Sequence, residues 1–149
     1  MTAASIQAKP TRKLSFTRVL AAGAIAIVGS IVANLIIRWV GMLLLPVDPS
    51  FMPLNTWQPT VLFTTMFLVL ATVVFLVINA FAANPPRTFA IVATAALVLS
   101  LIPDSMFLIN PSALPMGTPT WGAVIILVVQ HIAAYLITLW AFTRWATQG

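Results

Sequence analysis

Few side chains in this sequence could do chemistry, and they lie far apart along it. His131 is the single histidine, and Asp48 and Asp104 are the only acids. Arg38 is a cation set apart from the other basic residues. His131 follows Gln130 in an apolar run and shares a helical face with Ala123, Ala134, Thr138 and Ala141. An imidazole there has three uses: an interhelical hydrogen bond, a proton relay, or axial ligation of a haem- or chlorophyll-type ring. Bis-histidine ligation would need a second histidine from a symmetric partner. Asp104 follows Pro103 and, in an apolar surrounding, needs a cation or a hydrogen-bond donor, or else binds a proton or cation itself. Ser30, Asn34 and Arg38 follow one another at i, i+4 spacing, on a face shared with Gly23, Ala26, Ala33 and Gly41. Such a stripe suits close packing of helices in lipid.

Depth ties these residues together. Measured along helices, Asn34 and Asp104 both fall ~24 Å from the same boundary, and Arg38 about one turn further out. An intramembrane polar cluster of Asn34, Arg38, Asp104 and His131 is therefore expected, with Arg38 reaching back toward Asp104. A catalytic set is not expected. Two acids cannot supply a paired-carboxylate site with a separate partner, and the sequence holds no Gly-rich phosphate loop or metal cluster. Ser100 or Ser105 could be combined with His131 and Asp104, but any serine would serve that argument equally. With no cysteine, disulfides, thiolate metal sites and thiol redox chemistry are excluded. No cofactor is assigned.

The elements that must position these residues follow from composition. Of 149 residues, 61% are hydrophobic and 6% charged, against roughly 25% charged in a soluble domain. So few charges cannot cover a globule, and the lipid bilayer is the expected solvent. The net charge of +5 does not indicate nucleic acid, because the basic residues form no groove lined by aromatics. Apolar segments at about 16–45, 60–83, 88–109 and 121–145 each reach the ~20 residues that a span requires. Proline-rich connections separate them: Pro46 to Pro59, Asn84 to Arg87, and Asn110 to Pro119. Residues 1–15 read as a basic tail and 16–145 as one transmembrane domain. The fold class is an all-α membrane protein, an antiparallel (up-down-up-down) bundle of four transmembrane helices. Pro103 interrupts the third segment. A helix ending at Ile102 would span only ~22 Å, so a helix continuing to Ile109 is expected.

Orientation follows the basic residues near helix ends. Lys9, Arg12, Lys13 and Arg18 precede the first span, Arg87 opens the third and Arg144 closes the fourth, while the other two connections carry no Lys or Arg. Both termini are thus expected in the cytoplasm of a multi-pass cell-membrane protein. Trp39, Trp57 and Trp121 then fall at the outer interface, Trp140 and Trp145 at the inner one. The first apolar run is longer than the h-region of a signal peptide, so the first helix is expected to be retained.

Several short stretches carry a resemblance. Pro86-Arg87-Thr88-Phe89 opens the third segment, Leu99-Ser100-Leu101-Ile102-Pro103-Asp104 lies near its outer end, and His131 is followed by Ala133 and Ala134. With Asn34 in the first helix, these make residues 16 to 145 similar to a bacterial family of small four-span membrane proteins to which no activity is assigned. The first connection of this chain is longer and richer in proline than in that family. The resemblance implies a fold and a membrane location. The expected role is a structural or accessory membrane subunit, in a homo-oligomer or larger membrane complex. One alternative is a small oligomeric transporter or channel using Asp104 and His131, and another is a pigment- or haem-binding subunit through His131.

Overall fold

The computed structural model of the chain describes residues 13–110 and 115–148. Lys9 and Arg12 of the basic tail, and Pro111 of the third connection, lie outside the described residues. The described chain is all helical: α1 Phe16–Leu44, α2 Met52–Asn55, α3 Trp57–Phe81, α4 Pro85–Ile109 and α5 Trp121–Thr143, closed by a 3-10 turn at Trp145–Thr147. Four of these helices are long and apolar enough to cross a membrane, which makes this a multi-pass membrane protein.

Local chemistry sets the helix ends. Ser15, Asn84 and Thr120 cap α1, α4 and α5, each side-chain oxygen accepting a backbone N–H from the first turn. Proline does not stop the helices where composition placed their ends. Pro85 and Pro86 occupy the first turn of α4 and Pro59 the first turn of α3. A first-turn proline loses nothing, because its missing N–H has no intrahelical acceptor there. α3 and α4 therefore each begin three residues earlier than expected. α4 also runs through Pro103 to Ile109.

α1 packs along both α3 and α5, and α5 also packs along α4, while the contact between α3 and α4 is thin. The buried face of α1 is Val19, Ala22, Gly23, Ala26, Ser30 and Asn34, which includes Gly23, Ala26, Ser30 and Asn34 of the expected stripe, while Ala33, Arg38 and Gly41 are half-buried. Small residues matter here because lipid gives helices no hydrophobic drive to associate, so close van der Waals contact must supply it. A Cβ at Gly23 would lie 2.6 Å from Thr72 Oγ1, and one at Gly41 2.5 Å from Ile126 Cγ1.

Two apolar cores lie toward opposite ends. The tail-end core joins Val19, Ala22 and Ala26 to Phe75, Phe89, Phe142 and Ala146. Its three aromatic rings meet with centroids 4.6–5.0 Å apart. The cap-end core joins Phe51 and Leu54 to Phe107, Ala123, Val124 and Ile126, with Phe51 edge-on to Phe107 at 5.1 Å. α2 thus folds its apolar side into the bundle. The two connections at this end interlock. Met52 N–H donates to the Met116 carbonyl, Thr118 N–H to Ser50 Oγ, and Thr120 Oγ1 to the Pro46 carbonyl. Gly117 has φ +86°, and a Cβ there would collide with the Ser50 carbonyl.

At the other end, Asn79 exchanges two hydrogen bonds with the Leu14 backbone, and Lys13 Nζ donates to the Ala80 and Ala82 carbonyls. A cation on the last carbonyls of α3 complements the helix dipole. Arg18 donates to the Trp145 carbonyl and lies 6.0 Å from its ring centroid. Trp145 is therefore a partner of Arg18 within the protein.

Candidate functional site

The candidate residues lie between the two aromatic cores. A side chain leans toward the start of its own helix. Asp104 leans back along α4, and His131 leans back along α5. Phe107, late in α4, shares a core with Ala123 and Val124, early in α5. The two side chains consequently lean toward each other. His131 Nδ1 lies 3.1 Å from Asp104 Oδ2, the one such acid–base contact among the described residues, which is an ion pair when the ring is protonated. Nδ1 also lies 2.9 Å from the Leu127 carbonyl, one turn back on its own helix. Its single hydrogen faces two acceptors. The Leu127 carbonyl takes the hydrogen bond, and Asp104 Oδ2 is left buried beside Nδ1 with no hydrogen bond of its own.

Asn34 belongs to a different set of bonds. Its Nδ2 donates to Thr64 Oγ1 of α3 at 3.0 Å, and Gln130 Nε2 of α5 donates to its backbone carbonyl at 2.9 Å. One residue of α1 thereby ties three helices together. Gln130 stands beside His131 in sequence but points to another helix, so adjacency hid its role. The signal was present: a glutamine in an apolar span needs a partner as much as a histidine does.

Arg38 does not pair with Asp104. Its guanidinium donates to the Leu54 carbonyl at 2.8 Å, at the end of α2. The physical reason is α2 itself, which folds inward and presents carbonyls that no helix continues to satisfy. A cation suits that terminus. Among the described residues, then, the expected cluster of four separates into three arrangements: Asp104 with His131, Asn34 with Thr64 and Gln130, and Arg38 with Leu54.

A further seam bond links α4 to α5, where Thr94 Oγ1 and Tyr135 Oη lie 2.8 Å apart. Ser30, Thr60 and Thr138 are buried with hydroxyls that have no protein partner. Two open grooves flank α1. One of about 310 Å³ is lined by Ile36, Ile37, Val40, Gly41, Leu45, Ile125, Ile126 and Val129. The other, of about 270 Å³, lies between α1 and α3 and has Thr72 as its one side-chain hydroxyl. Neither is lined by Asp104 or His131. No group of three or more His, Cys, Asp or Glu able to hold a metal occurs among the described residues. Comparison with family models, curated proteins and solved structures finds no match.

Proposed function

We propose that this protein is a structural or accessory subunit of the cell membrane, acting through association with other membrane chains or with copies of itself. The observation that carries this reading is where the polar side chains of the spans spend their hydrogen bonds. Asn34, Gln130, Arg38 and Tyr135 each bond to a different helix from their own. The grooves beside α1 are apolar and suit acyl chains or helices more than a polar substrate. In this reading the spans run up-down-up-down with both termini cytoplasmic. The basic residues Lys13, Arg18, Arg87 and Arg144 support that orientation. The succession of end contacts supports the antiparallel order, since Phe89 at the start of α4 meets Phe142 at the end of α5.

Affinity purification in mild detergent, with identification of co-purifying chains, tests the reading. A stoichiometric partner chain or a defined homo-oligomer is expected. A monomer that purifies alone from native membranes would contradict it. The Asp104–His131 pair favours a second reading, a small transporter that uses these groups. Asp104→Asn separates the two: loss of an ion-dependent flux in a stable variant supports transport.

A further inference from the structure

Asp104 is the one carboxylate among the buried polar atoms left without a hydrogen bond, a set that also holds Asn34 Oδ1, Arg38 Nε and the hydroxyls of Ser30, Thr60 and Thr138. Asn34, Gln130 and Arg38 donate to oxygens that accept them well. Asp104 Oδ2 has no hydrogen-bond donor, although its side chain is only 7% exposed. Its nearest polar neighbour is His131 Nδ1, whose hydrogen the Leu127 carbonyl shares. A carbonyl oxygen can only accept, so Nδ1 carries the hydrogen. The remaining exchangeable position of the ring is Nε2. It bonds to nothing among the described residues and belongs to a side chain 35% exposed.

Charge counting then decides the occupancy. An ionised Asp104 facing a neutral imidazole gives the pair a charge of −1 inside a span. One added proton brings it to zero. A net charge in lipid is costly, and a neutral pair is not. The count is that of the pair alone. The remaining ionisable groups within the spans are Tyr135, bonded to Thr94 on α4, and Arg38 of α1, which keeps its charge but directs it to the Leu54 carbonyl and not to the pair. α2 and α3 contribute none. On α4, Asp104 sits between Phe89 and Phe107, each buried in one of the two apolar cores.

We propose that Asp104 and His131 form a proton-binding site that holds one exchangeable proton, taken up and released through His131 Nε2. On uptake an O–H bond of hydronium breaks as an N–H bond forms at Nε2, water is left behind, and the imidazolium faces the carboxylate. Release reverses the sequence. This goes beyond the accessory reading, since a subunit can carry a proton site whatever chain it binds.

The composition makes the test clean. With a single histidine and two aspartates, the full chain in bilayers, labelled with 13C-aspartate and 15N-histidine, gives one imidazole and two carboxyl signals. Spectra are recorded between about pH 4 and pH 10, a range bracketing ordinary carboxyl and imidazole titration. Asp104 Cγ and the His131 ring nitrogens are expected to move together with a common midpoint, while Asp48 moves alone. Asp104→Asn should displace the His131 midpoint by more than about one unit, and His131→Gln that of Asp104. Signals of the pair that stay constant across the range would overturn the proposal, as would midpoints that each variant leaves in place. The unsubstituted protein already decides the first point, so a variant that fails to fold does not shield the proposal.

Discussion

Replacing Asp104, His131 and Arg38 singly and in pairs separates the observed partner of Asp104 from the one that depth alone suggested. Breaking a buried ion pair costs ~3–5 kcal/mol when one charge is left unpaired. Two features lower the figure here. His131 is partly exposed, and its hydrogen is shared with the Leu127 carbonyl. Asp104→Asn is also neutral and keeps an acceptor facing Nδ1. We therefore expect Asp104→Asn and His131→Gln each to cost ~1–3 kcal/mol, with a coupling between them of about 1 kcal/mol. Arg38→Met keeps an apolar stem but loses a charge-assisted hydrogen bond to Leu54, worth ~1.5–3 kcal/mol. That loss should add to the Asp104→Asn loss within about 0.5 kcal/mol, because the two residues share no partner. Equilibrium unfolding in lipid bicelles supplies all the values. A larger coupling of Asp104 to Arg38 than to His131 would refute the pairing described here.

Three further outcomes follow from particular contacts. Phe75 is fully buried between Phe89 and Phe142, so Phe75→Ala should destabilise the bundle toward the lower end of ~3–5 kcal/mol, read by thermal denaturation in detergent. Gly117→Ala should loosen the interlocked connections, since φ +86° costs an L-residue ~1–2 kcal/mol before the collision with Ser50 is counted; faster amide exchange at Met52 and Thr118 checks it. The Asp48 carboxyl is held below its ordinary value of 3.8, chiefly by its hydrogen bonds from Ser50. A lowered pKa contributes stability that is present above the ordinary value and lost as pH falls through the folded one. Protection of the Ser50 amide, taken relative to its intrinsic exchange rate at each pH, should therefore fall only in acid, below the usual carboxylate range, and be unchanged between neutral and mildly basic pH.

The four spans were legible because composition and run length decide them. The packed face of α1 was legible too, since small and polar residues recur there at helical spacing. The ends of α3 and α4 were misplaced by treating every proline as a stop, although a first-turn proline is harmless. Arg38 was misassigned for a different reason. Depth along a helix gives height and not azimuth, and Arg38 met the carbonyl end of a short helix that had been read as loop. Phe51 and Leu54, two apolar residues three apart among prolines, were the sign that this connection folds inward. The Asp104–His131 contact needed the lean of side chains on two neighbouring helices, which no single-helix pattern contains.

The membrane arrangement on which these readings rest is tested most directly by labelling. The chain lacks cysteine, so single substitutions report without background. Thr56→Cys lies at the cap end, before α3, where the native side chain makes no capping bond. Gln148→Cys lies at the tail end, after the closing turn, and Ala83 in the connection before α4 offers a second tail-end position. With a membrane-impermeant maleimide on intact cells, Thr56→Cys should be labelled, and Gln148→Cys and Ala83→Cys only after permeabilisation. Labelling of Thr56→Cys and Gln148→Cys from the same side would contradict the four-span arrangement.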